Sequence, residues 1–430
     1  MYTICYNLQN TGVLKMKGYR KIALSIIFVF LLAIFQGCGG GEKEKAEKKT
    51  EEVSTKKELK EVETPEKEGE PSEEEADVRE LKLGVIGPLT GENAEYGQSV
   101  LAGVKIAIEE INSRGGINGK KIKLVSYDNK GELEATLEGI SHLIQDEHVV
   151  AILSSPTGWS TFAPTHQINQ TRTLFFSVGT KRNIERSGAF IFRVGLPDEI
   201  AIEDLISLTT DKLGYKNYAL VTSSIIDYSL ARSYLFKNAI LERGGNVVLE
   251  ADTYNTYEGR SEIDRVAERL KKASGIDAII YTGNAEEGGE FVKALRKQGV
   301  GLPVIGTEVF AEEAFRKSGG DAIRGTIFYT AYAPELNEKT KRFATSYREA
   351  TGREPDVFSA LAYDTSLLIA KAIERADSTV PTQVMDALLD IEDFSGITGN
   401  MSFTPQGEPV KHPFIYEIKK AGEGGRVLIK

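Results

Sequence analysis

Cysteine is almost missing from this sequence: the 430 residues include only Cys5 and Cys38, and the rest of the chain has none. That excludes a disulfide framework and any cysteine metal site beyond residue 38. Histidine is nearly as scarce, and His142, His148, His166 and His412 lack metal-binding spacing such as H-x-x-x-H, so no function is assigned to them. No G-x-G-x-x-G opens a helix and no G-x-x-x-x-G-K-[ST] occurs, which removes the common nucleotide fingerprints. The stretch Gly158-Trp159-Ser160-Thr161-Phe162 lacks the second glycine of a G-x-S-x-G elbow, and no His-Asp pairing follows from spacing. An enzyme is therefore not expected, nor any cofactor.

Long apolar runs are also rare. The one present, IALSIIFVFLLAIFQ from Ile22 to Gln36, follows Lys17, Arg20 and Lys21 and ends at Gly37-Cys38. It is shorter than the roughly 20 residues of a permanent membrane span and reads as a secretory signal over residues 1–38, with Met16 the more natural start. A small residue followed by cysteine resembles the lipobox of bacterial lipoproteins, which makes Cys38 the expected lipidation site. Phe35-Gln36 departs from that pattern. Residues 39–80 hold sixteen acids and nine bases, with scarcely an apolar residue and no aromatic. Such a segment cannot bury enough surface to fold, and we expect a disordered tether. The net charge of -10 leaves the remaining body acidic, which argues against nucleic acid as a partner.

From Leu81 the pattern becomes strand-helix alternation: LKLGVIGPL, a helix over 97–113 with Val100, Val104, Ile108 and Ile111 on one face, KIKLVSYD, a helix over 132–147, VVAILSS, a helix from about 160, and LFFSVG. A second series begins near Pro197, with strands YALVTSS, NVVLEADTY, DAIIYTG and PVIGT between helices at 199–213, 229–243, 260–273 and 286–298. Alternation of this kind predicts α/β architecture with parallel sheets covered on both faces. Helices at 337–350, 357–376 and 381–390 have no strands of their own and are expected to return to the first sheet. We therefore expect two doubly wound, Rossmann-like lobes joined by a multi-crossing hinge, with residues 81–197 and 333–400 in the first and 198–332 and 401–430 in the second.

Ligands of doubly wound sheets bind beyond the carboxyl ends of the strands. In the first lobe the loops there offer hydroxyls, glycine and aromatics, among them Tyr96, Ser155, Trp159, Ser160, Gly179 and Thr180, a cradle suited to a carboxylate. The second lobe offers Asp227-Tyr228, Asn284 to Glu286 and Thr307-Glu308, acceptors suited to an ammonium group. Lys181-Arg182 reads as a solvated turn, the alternative being a contact to an acidic ligand side chain. Facing lobes of this chemistry fit a zwitterion between tyrosine walls.

The segments LKLGVIGPLTGENAEYGQSVLAGVKIAIEEINSRGGINGKKIKLVSYD, SSPTGWSTFAPTHQI, LFFSVGT, VTSSIIDYSLA, YTGNAEEGGEFVKALRKQG and VIGTEVF resemble the periplasmic leucine/isoleucine/valine-binding proteins, which have the type I periplasmic binding fold and serve branched-chain amino-acid ABC transporters. The resemblance implies an exported receptor, lipid-anchored in the cell envelope, that hands a small-molecule ligand, an amino acid, to an ABC permease. It places Tyr96 and Tyr228 on the cleft walls, Ser160 or Ser155 and Gly179-Thr180 at the ligand carboxylate, and Glu308 at its ammonium. Asn284 stands where branched-chain binders carry another tyrosine, the usual glycine after Tyr228 is missing, and Trp159, Lys181 and Arg182 depart from the pattern. The alternatives are a different small carboxylate or amide as ligand, or a sensor acting through a partner receptor.

Overall fold

The structure is a computed structural model that describes residues 80–430, apart from residues 157, 158, 182, 256, 257, 393 and 421–424. The expected signal, Cys38 and nearly all of the expected tether lie outside the described residues. Only Glu80 of the tether is described, and it already belongs to the first strand.

Strands Glu80–Gly87 (β1), Lys121–Asp128 (β2), Ala151–Ser154 (β3), Leu174–Val178 (β4) and Ile191–Val194 (β5) form one parallel sheet in the order β2-β1-β3-β4-β5. Runs such as Leu-Phe-Phe-Ser-Val in β4 are buried throughout because helices cover both faces. Between the strands run helices Ala94–Ser113 (α1), Leu133–Ser141 (α2), Trp159–Phe162 (α3) and Thr165–Thr171 (α4).

The second sheet takes in Asn217–Thr222 (β6), Asn246–Asp252 (β7) and, after a small hairpin of Tyr254–Asn255 (β8) with Arg260–Ser261 (β9), Ala278–Thr282 (β10), Val304–Gly306 (β11) and Thr326–Thr330 (β12). These five are parallel in the order β12-β11-β10-β6-β7. Its helices are Asp198–Ser207 (α5), Asp227–Glu242 (α6), Ile263–Lys272 (α7), Ala285–Lys297 (α8) and Glu313–Gly319 (α9). Phe291, Leu295 and Phe310 fill one face, and Ile202, Phe236 and Ile240 the other.

The late helices Glu338–Thr351 (α10), Val357–Ala376 (α11) and Pro381–Leu389 (α12) do pack on the first sheet, through Phe343, Tyr347, Leu361, Leu368 and Val384. Asn337 and Asp356 start α10 and α11 with capping boxes, each side chain accepting N–H bonds of the first turn. Helix α11 crosses α1 so closely that a Cβ on Gly103 would lie 2.1 Å from the Ser359 carbonyl oxygen. Only glycine allows that approach.

One expected boundary moves. Residues after 400 were assigned to the second lobe, but strands Phe394–Gly396 (β13), Gly399–Phe403 (β14) and Pro409–Val410 (β15) make a separate antiparallel sheet beside β5. Met401 and Phe403 join the first core, Phe403 meets Phe192 with ring centroids 5.2 Å apart, and Glu408 pairs with buried Arg193 at 2.8 Å. The alternating apolar positions of β14 turn Met401 and Phe403 inward over the open edge of the first sheet. Only Phe414–Ile418 (β16) and Arg426–Leu428 (β17) join the second sheet, both antiparallel, next to β12. The chain thus crosses between the sheets three times, at residues 195–197, 331–337 and 411–413.

Candidate ligand-binding site

Both sheets reverse strand order beside their first strand, between β1 and β3 and between β6 and β10. The loops that leave these switch points diverge and open a crevice at the carboxyl ends. On the first lobe, Tyr96 sits in the first turn of α1, edge-on to Phe358 at 5.3 Å. Burial raises its phenol pKa, helped by Glu95, Glu312 and Asp356. Ser155 follows β3, is fully buried and donates its N–H to the Ile86 carbonyl at 3.1 Å. Gly179 turns the chain after β4 with φ +81°, and a Cβ there would collide with Phe358 at 2.5 Å. Thr180, the next residue, is buried. Trp159 and Ser160 open the short helix α3, and their side chains lie outside the described part of the structure.

On the second lobe, Tyr228 stands in the first turn of α6, half-exposed, with the Arg232 guanidinium 4.7 Å from its ring centroid. The Asp227 side chain is not among those described. Asn284 serves the protein: its Oδ1 accepts the Glu287 N–H at 2.8 Å and caps α8. Glu308 is already paired, to Arg232 Nη2 at 3.0 Å and to Lys181 Nζ at 3.0 Å.

Those contacts belong to a closed ring of charges between the lobes. Asp198, the first residue of α5 after the crossing at Pro197, takes Arg232 Nε at 2.8 Å, Lys181 Nζ at 3.3 Å and the Tyr329 hydroxyl at 2.9 Å. Lys181 also donates to the Leu196 carbonyl at 2.7 Å. Burial opposes ionisation of Asp198, but Lys181, Arg232 and the hydrogen bonds from Arg232 and Tyr329 outweigh it and hold the carboxyl well below its usual range. Burial likewise opposes the Arg232 charge, and Tyr329, Asp198 and Glu308 outweigh it, so the guanidinium stays protonated. Glu312 behaves otherwise. It remains open to solvent, yet the surrounding protein and nearby Glu308 push its carboxyl up to about 7. Glu312 also raises the phenol pKa of both Tyr96 and Tyr228, behind burial as the larger cause.

A sequence profile described as "Periplasmic binding protein" matches residues 80–423. This chain belongs to that family. It is 25% identical over 358 residues to the Leu/Ile/Val-binding protein homolog 2 of Brucella abortus, covering 81% of this chain and 92% of that protein. The branched-chain amino-acid substrate-binding protein LivJ of Streptococcus pneumoniae, solved in complex with isoleucine, superposes with a TM-score of 0.66 at 24% identity, over 81% of this chain and 99% of that one. A solute-binding protein of Rhodopseudomonas palustris in complex with 3,4-dihydroxybenzoic acid superposes with a TM-score of 0.64 at 22% identity, over 81% and 95%. The fold of this periplasmic binding protein is thus the type I periplasmic binding fold, and the chain is a solute-binding protein.

Sequence reasoning did not single out Asp198, Arg232, Tyr329 or Glu312, and it took Lys181 for a solvated turn. The structure corrects that reading, because three acceptors converge on Lys181 Nζ from the crossing and the second lobe. Arg232 carried a usable signal: a lone arginine one turn after Tyr228, on a helix face that must bury. Asp198 and Tyr329 carried none, since an acid at a helix start and a tyrosine in a strand are ordinary.

Proposed function

We propose that this protein is a lipid-anchored extracytoplasmic receptor of an ABC transporter, which closes its lobes on one small carboxylic acid and presents the closed form to the permease. The observation that carries the reading is the charge ring of Lys181, Asp198, Arg232 and Glu308, which ties the two lobes together with Tyr228 against Arg232. Isoleucine in the pneumococcal relative and 3,4-dihydroxybenzoic acid in the Rhodopseudomonas relative differ in everything except the carboxyl group. A carboxylate is therefore the chemistry assigned to the first-lobe cradle of Ser155, Ser160, Gly179 and Thr180, with an amino acid of the branched-chain type as one member of the class. Trp159 and Tyr228 would wall the solute, and three crossings would serve as its hinge. Cys38 would carry the lipid and residues 39–80 would hold the body off the membrane.

A thermal-shift screen of the full chain, refolded from denaturant to strip bound solute, tests the reading. A compound at 100 times its Kd should stabilise the fold by ~2.7 kcal/mol and raise Tm by several degrees. If amino acids, amides and small carboxylic acids all leave Tm unchanged, the receptor reading fails. Replacing Cys38 with serine should release the protein from the membrane fraction.

A further inference from the structure

The contacts of Lys181 describe an ammonium site that is already filled. A protonated amine has three donors, and three acceptors meet Lys181 Nζ: the Leu196 carbonyl at 2.7 Å, Glu308 Oε2 at 3.0 Å and Asp198 Oδ1 at 3.3 Å. One carbonyl and two carboxylates form the set that the α-ammonium of an amino acid would need. We propose that the solute of this receptor is an organic acid without an α-ammonium group, and that Lys181 supplies the cation an amino acid would have brought.

Charge balance carries the argument further. The ring holds two carboxylates, Asp198 and Glu308, against two cations, Lys181 and Arg232, and Arg232 binds both carboxylates at 2.8 and 3.0 Å. A ligand ammonium entering beside this neutral ring would be desolvated without a counter-charge, a strongly unfavourable step. Two further second-lobe acceptors are engaged as well. Asn284 Oδ1 caps α8, and the Glu287 carboxylate takes the Ser223 and Thr253 hydroxyls at 2.6 Å each. Among the described residues, Glu312 is the remaining acid that acts on both tyrosines, and with its carboxyl pushed up to about 7 it presents only part of a charge at neutral pH. A ligand carboxylate needs no place in this ring, because the cradle assigned to it is the set of first-lobe hydroxyl and N–H donors at Ser155, Ser160, Gly179 and Thr180. The lysine is thus the plug of the ammonium seat.

This inference rests on the receptor reading and narrows its ligand, so the test separates the two. Isothermal titration calorimetry of the refolded full chain compares leucine with 4-methylpentanoate and phenylalanine with 3-phenylpropanoate, each pair differing by the amino group alone. The acid should bind about ten-fold tighter than its amino acid in at least one pair, a ratio that one charge-assisted hydrogen bond provides. K181M, which empties the ammonium seat, should move that ratio at least ten-fold toward the amino acid, while K181R keeps the preference for the acid. Tighter binding of the amino acid by the unmodified protein would overturn the inference and leave the receptor reading standing. So would a ratio unmoved in K181M. If neither pair binds but the thermal-shift screen finds an amino acid that does, the inference is overturned and the receptor reading stands. Circular dichroism checks the fold of each variant, and should K181M not fold, the ratio in the unmodified protein decides alone.

Discussion

Two groups of buried charges in this protein look alike on paper and behave in opposite ways. In the first lobe, Asp364 and Lys411 are fully enclosed, and Asp364 accepts the Ile397 and Thr398 N–H groups at 2.8 Å each while the Thr398 hydroxyl lies between it and Lys411. Burial dominates there: it raises the Asp364 carboxyl and lowers the Lys411 ammonium to about 8. In the crevice, two cations serve two carboxylates, and Coulomb attraction overcomes burial to hold Asp198 low and Arg232 protonated. The first pair clamps the β13–β14 turn to α11 and presents nothing to solvent. The second leaves a quarter of Lys181 and a fifth of Glu308 accessible at the junction of the lobes. A single enclosed pair is a structural clamp, whereas a ring with accessible members can also meet a ligand.

Substitutions should break this comparison in a definite order. Asp364→Ala strands Lys411 in the core, and urea unfolding should show a loss of ~3–5 kcal/mol, most of it recovered when Lys411→Met is added. Arg232→Leu leaves two carboxylates to one lysine. It should lower stability by about 2–3 kcal/mol and weaken solute binding together, whereas Asp364→Ala should leave solute affinity unchanged in whatever fraction remains folded. Equal effects of the two on affinity would mean that the crevice ring is a structural clamp like the Asp364–Lys411 pair.

The smallest effect concerns pH. The Glu312 carboxyl is raised from its ordinary 4.5 to about 7 in the folded protein, so between those values the folded state holds a proton that the unfolded state has released. Its stabilising contribution is complete below about pH 4.5 and is lost as pH rises through about 7. Because the side chain is open to solvent, the change should be on the order of 1 kcal/mol. Glu312→Gln should flatten the dependence of stability on pH between 5 and 8, as read by urea unfolding at both ends. A slope identical to that of the unmodified protein would place the titrating group elsewhere.

Much of the scaffold could be read from the residues, because period and punctuation are local. The run KIKLVSYD is β2 to the residue, and the helical face of Val100, Val104, Ile108 and Ile111 is the buried face of α1. Strands β5 and β12 escaped notice. Each is short and follows directly on an irregular stretch, so only pairing with a neighbour marks it as a strand. The boundary at residue 401 failed for a related reason: which sheet a strand of two to five residues joins depends on which edge is open.

Local chemistry by itself therefore determined the alternating α/β architecture and the doubly wound lobes. What Glu308, Asn284 and Lys181 do was decided only by the tertiary structure. An acid at a strand end reads as a free acceptor until the fold brings Lys181, 127 positions earlier, and Arg232 within 3.0 Å of it. Spacing along the chain holds no record of such a meeting, because the energy of a charge depends on which charges surround it in space.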